Sequence, residues 1–267
     1  MGLVYFIFFW IGASVFSFVN VLIYRVPRKI SFVGGRSFCP SCRTNLKLYD
    51  MIPVFSYILL KGRCRKCKSK IPVRCLFVEL LGGILAVQCA AAVPLDETGA
   101  GIYLFKTVFL LMTGALLTAV TFVDIDTMEI PNGFVLALAC LGAVSLFVFP
   151  EVSLPVRVTG CFAVSVPMLL LTVLIPGAFG GGDIKLMAAA GILLGAKLTG
   201  AAFFFSMLAG GLYGIYLLAG KKKGGKDHFA FGPFLCVGIW AAICWGNEIF
   251  GWYFGLCLLY TSPSPRD

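Results

Sequence analysis

Two short segments carry carboxylates that a strongly apolar chain has little reason to keep. The first reads Val123-Asp124-Ile125-Asp126-Thr127-Met128-Glu129-Ile130-Pro131-Asn132, and the second Gly180-Gly181-Gly182-Asp183-Ile184-Lys185-Leu186. Two aspartates brought together do not both ionise easily: one stays protonated as a general acid while the other activates water as a general base. Such a pair titrates as a unit. Gly180, Gly181 and Gly182 strip the approach to Asp183 of side chains, so an extended peptide can come close, and they predict an unwound stretch of backbone there. Asp126 and Glu129 read as interfacial acids, with Asp126 a fallback for the first catalytic role. A metal site built on the aspartates needs more oxygen or imidazole ligands than these segments offer. The only histidine, His228, borders the last apolar segment and reads as interfacial.

A second constellation is Cys39-Pro-Ser-Cys42 and Cys64-Arg-Lys-Cys67, with 21 residues between the pairs. Paired C-x-x-C spacing predicts a structural zinc held by four thiolates. The surrounding cations help keep thiols deprotonated, and metal binding stabilises a loop of about fifty residues that has few apolar positions for a core of its own. The other seven cysteines, Cys75, Cys89, Cys140, Cys161, Cys236, Cys244 and Cys257, lie in or beside apolar stretches and read as small packing residues.

The elements that position these groups are transmembrane helices. The 267 residues are 60% hydrophobic, with a mean hydropathy of +0.96, far outside the range of soluble domains. The pattern predicts an all-α, polytopic membrane bundle of about eight spans: 3–23, 76–93, 102–123, 132–149, 156–175, 184–197, 200–219 and 229–257. The last is long enough to tilt or break near Gly246. Residues 1–10 have no basic n-region and read as the start of a retained first helix. The domain reading is a first helix over 1–24, a zinc-binding basic loop over 25–75, a membrane domain over 76–259, and a tail, 260–267, that breaks the pattern and reads as a gene-calling artefact.

Charge sets the orientation. The net charge is +10, yet residues 25–74 alone hold thirteen Lys/Arg against one acid, Asp50, giving +12 and leaving −2 for the rest. This loop and the Lys221, Lys222, Lys223, Lys226 cluster are therefore placed on the cytoplasmic side of the inner membrane. The positive-inside effect explains the basicity without a nucleic-acid partner. Counting spans between the two clusters puts Asp124, at the end of an inward-going helix, and Asp183, at the start of an outward-going one, at the same cytoplasmic depth. A transporter with an ion pathway or a lipid-binding scaffold are the rival classes, and neither needs the cysteine module.

Assembled, these residues resemble the bacterial type IV prepilin peptidase family, also called the leader peptidase/N-methyltransferase family, a GxGD-type group of intramembrane aspartic proteases. Gly12-Ala-Ser-Val-Phe-Ser-Phe-Val-Asn20-Val-Leu-Ile-Tyr24-Arg25-Val-Pro27 is similar to the family's opening motif. The C-x-x-C pairs enclosing Tyr49-Asp50-Met51-Ile52-Pro53 and Lys61-Gly62-Arg63 follow, then Arg74 and Glu79, then the two aspartate motifs in the family's order. The resemblance implies removal of the basic leader from type IV prepilins or type II secretion pseudopilins, and methylation of the new N-terminus with S-adenosylmethionine. It places the catalytic roles on Asp124 and Asp183, with Gly180, Gly181, Gly182 and Lys185 along the substrate approach. Zinc falls to Cys39, Cys42, Cys64 and Cys67, and Asn20, Tyr24 and Arg25 go with the methyltransferase half. The implied partners are prepilin substrates and membrane lipid, with no nucleic acid. Cys75, in place of an aromatic, and Leu48, in place of a tryptophan before Tyr49, depart from the pattern.

Overall fold

The computed structural model describes residues 2–33, 36–219 and 229–261. His228 and the Lys221, Lys222, Lys223, Lys226 cluster lie outside the described residues, as does the tail beyond Thr261. Among the described residues the protein is helical, with no named strand. The elements are α1 (Gly2–Arg25), a single 3₁₀ turn (Leu48–Met51), α2 (Phe55–Leu59), α3 (Val73–Ala92), α4 (Leu95–Thr127), α5 (Asn132–Val148), α6 (Leu154–Ala163), α7 (Ser165–Leu174), α8 (Gly181–Ala219) and α9 (Gly232–Thr261). Six helical stretches among the described residues are long and apolar enough to cross a bilayer, and α5 is a shorter apolar helix. About eight spans were expected; two of them are joined in α8, and a third is the shorter helix α5.

The predicted sixth and seventh spans are two arms of one element, α8, separated by a single non-helical residue, Gly195 (φ 76°, ψ 167°). Only glycine adopts that conformation without steric cost. An unbroken helix of 39 residues would run about 58 Å, nearly twice the ~30 Å hydrocarbon layer, so the break is what lets 181–194 and 196–219 serve as separate arms. The predicted fifth span is likewise divided, between α6 and α7 at Val164. Pro167 explains this: it has no N–H for the carbonyl of Ala163, and its ring crowds that turn. The break near Gly246 does not occur, because α9 runs helically through it.

The chain divides into two compact units, Met1–Ala137 and Leu138–Asp267. In the first, α1 and α3 pack backbone to backbone: a side chain at Gly12 would strike the Gly82 carbonyl and Ala86, and one at Gly82 would strike Phe16. Small residues at such contacts allow the close approach on which helix association in lipid depends. α4 joins them through the Tyr103 hydroxyl, which donates to the Ala90 carbonyl at 3.0 Å. In the second unit α6 crosses the first arm of α8 at Gly160 and Gly191, and α9 runs antiparallel to the second arm, with Gly238 against Ala202 and Ser206, and Gly246 against Leu198.

The loop after α1 is less polar than its charge suggests. Residues 48–60 include ten apolar side chains, among them Leu48, Ile52, Phe55, Ile58 and Leu59, and they form the 3₁₀ turn and α2.

Candidate active site and metal centre

Asp124 sits in the last turn of α4, where Met128, in the left-handed region (φ 54°), caps the helix by donating its N–H to the Asp124 carbonyl. Val123, Asp124 and Ile130 are buried, and Asp124 is only 4% exposed. Two residues on, Asp126 points outward. Both of its carboxylate oxygens accept from Arg74 Nη1 at 2.7 Å, each partner being about a third exposed. The structure thus separates the two candidates: Asp124 is enclosed, and Asp126 is held on the surface by a cation at the start of α3.

Asp183 is in the first turn of α8 and is 8% exposed. Its Oδ2 accepts from the Gly180 N–H at 3.2 Å, the reach-back of a carboxylate at the third helical position to the capping residue. The glycine run is therefore less unwound than expected: Gly181 and Gly182 are already helical, and only Gly180 lies outside. The physical reason is this reach-back bond, which satisfies a donor that helix initiation leaves orphaned. A Cβ on Gly180 would sit 3.0 Å from Asp183 Oδ2, while one on Gly181 would meet nothing. Lys185 is exposed. Phe179 fixes the approach loop by packing on Phe203 and Phe231 at 6.1 and 5.9 Å between centroids.

The cysteine pairs form two copies of one small hairpin. In the first, Cys39 N–H bonds the Thr44 carbonyl and Arg43 N–H the Cys39 carbonyl; in the second, Cys64 N–H bonds the Ser69 carbonyl and Lys68 N–H the Cys64 carbonyl. Arg43 (φ 53°) and Lys68 (φ 59°) take the same left-handed conformation, and the bridges Phe38–Asn45 and Arg63–Lys70 close the two in register. The four Sγ atoms lie within 4.8 Å of one another, with Cys39 and Cys67 3.8 Å apart. A tetrahedral zinc with bonds of ~2.3 Å has sulfur–sulfur edges of about 3.8 Å, whereas a disulfide needs ~2.05 Å. The donor set fits zinc.

Hydroxyls surround the sulfurs. Ser69 Oγ lies 3.1 Å from Cys67 Sγ and 3.8 Å from Cys39 Sγ, and Thr44 Oγ1 lies 3.4 Å from Cys42 Sγ. Burial alone raises the Cys39 thiol, but the N–H groups of Cys42 and Ser41 and the Ser69 hydroxyl bring it down to about 6. The Ser69 hydroxyl and N–H also lower Cys67. The N–H groups of Cys67 and Lys66 pull Cys64 down, yet burial and its bonds to Cys39 and Cys67 leave it raised. Two neighbouring thiolates resist a third, a conflict that a divalent cation removes.

Tyr24 and Arg25 join α1 to this module, and Asn20 joins α1 to the start of α3. Asn20 Nδ2 donates to the Cys75 carbonyl at 3.1 Å. Arg25, buried, donates to the carbonyls of Ser31 and Arg36 and lies over the ring of Phe38, as Tyr24 does edge-on. Of the remaining cysteines, Cys89 and Cys236 are buried as packing residues, while Cys140 is exposed; the side chain of Cys257 lies outside the described residues. Sequence reasoning missed Thr44, Ser69 and the Arg74–Asp126 pair. A repeat was present for the first two, Cys-x-x-Cys-basic-hydroxyl in Cys39–Thr44 and again in Cys64–Ser69.

With this geometry in place, the comparisons with known proteins are decisive. The bacterial peptidase A24 N-terminal domain matches residues 10–93, and the type IV leader peptidase family matches residues 110–215. A prepilin leader peptidase/N-methyltransferase of Bacillus subtilis (strain 168) is 31% identical over 94% of this chain and 98% of its own length. The chain belongs to the type IV leader peptidase family. Proteins with the same description from Neisseria gonorrhoeae, 32% identical over 86% of each chain, and Legionella pneumophila, 28% identical over 91% of each, agree. No solved structure matches significantly. The A24 N-terminal match takes in both cysteine hairpins and the α1–α3 contact, and the leader peptidase match takes in Asp124 and Asp183. Six apolar helices in a member of this family make it a multi-pass membrane protein.

Proposed function

We propose that this protein is a membrane-embedded aspartic endopeptidase that removes the leader of type IV prepilins or pseudopilins, and that it methylates the new N-terminal residue. The observation that carries the reading is the pair of buried aspartates, each at a helix end: Asp124 closes α4 and Asp183 opens α8. The charge pattern assigns both ends to the cytoplasmic side, because the loop at +12 and the Lys221–Lys226 cluster fix the direction of the spans between them.

The chemistry is acid–base hydrolysis. One carboxylate of the pair takes a proton from water as the oxygen attacks the scissile carbonyl. The other, protonated, gives its proton to the carbonyl oxygen and recovers it as the intermediate collapses, while the first passes the proton it took from water to the nitrogen of the departing amine. The substrate backbone passes along Gly180–Gly182, where no side chain bars an extended peptide. Zinc is held by Cys39, Cys42, Cys64 and Cys67 and supplies folding energy to the loop, not a catalytic step. S-adenosylmethionine supplies the methyl group when bound, and the loop that α1 organises through Asn20, Tyr24 and Arg25 is the region assigned to that half-reaction.

The test is co-expression with a prepilin followed by mass spectrometry of the pilin N-terminus, which reads cleavage and methylation together. Asp124→Asn and Asp183→Asn each abolish leader removal while the protein accumulates in the membrane, and the double variant is no worse than either single. Asp126→Asn keeps cleaving. Full activity in Asp124→Asn together with loss in Asp126→Asn would move the first role to Asp126.

A further inference from the structure

We infer that residues 52–60, within the basic zinc loop, form a re-entrant turn embedded in bilayer hydrocarbon instead of lying in water. The first observation is position. The ring of Phe55 stacks on Trp10 with centroids 5.0 Å apart and planes 14° from parallel. Trp10 is about 22 Å up the axis of α1 from Arg25, its basic end, which is well over half the thickness of the hydrocarbon layer. The start of α2 is also tied to α3: the Val54 N–H donates to Glu79 Oε2 at 2.8 Å, and Glu79 lies about 9 Å along α3 from Val73. The loop therefore climbs beside two spanning helices. Its apolar stretch is also of the length expected for re-entrant or interfacial segments, too short to span.

The second observation is the backbone. Irregular chain at membrane depth is tolerated only where its polar groups find partners within the protein. Here Ser56, Ile58 and Leu60 donate to the carbonyls of Ile52, Val54 and Ser56, each at 3.0 Å. On the return, Lys61, Gly62 and Arg63 donate to Ile58, Tyr57 and Leu60 at 3.0, 2.9 and 3.1 Å. Pro53 has no donor to satisfy. Val54, a β-branched residue, is held at φ 61°, a conformation such residues rarely adopt; the Glu79 bond at its N–H fixes it there.

The third observation is what faces outward. Phe55 is 51% exposed, Ile58 61% and Leu59 76%, and they continue the lipid-facing surface of α1 formed by Phe6, Ile7 and Ile11, also exposed. A soluble loop would not present its largest apolar side chains to water in one continuous patch. Lys47 and Lys61 bracket the segment in sequence, suited to extending their charged ends toward the interface. The occupant against this face is lipid acyl chain, because the surface is continuous with that of a spanning helix.

Phe32 provides a matched reference, being 47% exposed and lying in the same loop between Lys29 and Arg36. Hydroxyl-radical footprinting of the unmodified protein in nanodiscs of phosphatidylethanolamine and phosphatidylglycerol should oxidise Phe32 and spare Phe55. Equal oxidation of the two would overturn the proposal. A photo-crosslinking residue identifies the occupant: Leu59→p-benzoylphenylalanine, in protein that retains its zinc, should give lipid acyl adducts, and Asn45→p-benzoylphenylalanine none. Adducts at Leu59 to polypeptide in place of lipid, whether a second copy or a co-reconstituted pilin, would also overturn it.

Discussion

Removing the guanidinium of Arg157 should loosen the helix that carries Asp183. Arg157 is 1% exposed inside the second unit, and its fork reaches the ends of two helices. Nε donates to the Val152 carbonyl at 3.1 Å, and Nη2 to the carbonyls of Ser145 and Phe149 at 3.0 and 2.9 Å. Nη1 donates to the carbonyls of Ile192 and Leu193 at 3.1 and 2.8 Å and to the Ser145 hydroxyl. Ile192 and Leu193 are among the carbonyls that a non-helical Gly195 deprives of their i+4 donors, and Arg157 donates to both. Polar contacts in membrane interiors average ~0.6 kcal/mol each because the unfolded chain also finds partners, and six of them amount to about 3–4 kcal/mol. Arg157→Met should lower stability by that amount, an increase of over a hundredfold in the open fraction, measured by reversible unfolding in mixed detergent–SDS micelles with tryptophan fluorescence. Arg157→Lys should recover less than half, since a single ammonium cannot span acceptors on α5 and α8 at once. Leader cleavage should fall in both, because 181–194 holds Asp183. A variant within about 0.5 kcal/mol of wild type would refute the reasoning, as it would mean those carbonyls need no fixed donor.

Elemental analysis of the purified protein should find about one zinc per chain, and replacing one cysteine in each hairpin, Cys39→Ser with Cys64→Ser, should remove it and speed trypsin cleavage within residues 25–74. Ser69→Ala should weaken zinc affinity by about 10–100-fold without unfolding the protein, and Thr44→Ala by less, because Ser69 meets two sulfurs and Thr44 one; competition with a chromogenic chelator measures both. Neutralising the Lys/Arg of the leader should slow cleavage in detergent less than placing a bulky residue just before the cut, since a loop at +12 repels a basic leader and the glycine approach reads the junction. The opposite ranking would shift charge recognition to Asp126 and Glu129.

The helical class, the approximate spans and the gathering of Cys39, Cys42, Cys64 and Cys67 were legible because each rests on a strong local signal: apolar runs of spanning length, and paired C-x-x-C spacing. What hydropathy could not resolve was where helices stop without a polar loop. The expected spans 184–197 and 200–219 put a break at 198–199, and only the backbone conformation of Gly195 places it a few residues earlier, inside the first of them. Residues 48–60 escaped notice for a related reason. The run is too short to span, is interrupted by Asp50 and Pro53, and sits in a stretch whose charge dominates any average. Residue type alone did not separate Asp124 from Asp126, both acids at one helix end; only the family resemblance put Asp124 first. Burial of one and the Arg74 partner of the other distinguish them.

The polar residues that an apolar chain retains here do two kinds of work, and the distinction follows from backbone chemistry. Wherever a helix is interrupted at membrane depth, a carbonyl or N–H is freed that lipid cannot satisfy. Glu79 takes the freed N–H of Val54, and Arg157 takes the freed carbonyls of Ile192 and Leu193, so their charges are explained by structure alone. Asp183 shares that character through Gly180, but only one of its oxygens is engaged by that N–H. Asp124 differs, for it stands in an unbroken turn of α4 whose own main chain supplies the cap. The buried carboxyl of Asp124 is thus not needed to cap the helix that it ends, which accords with the acid–base role proposed for it.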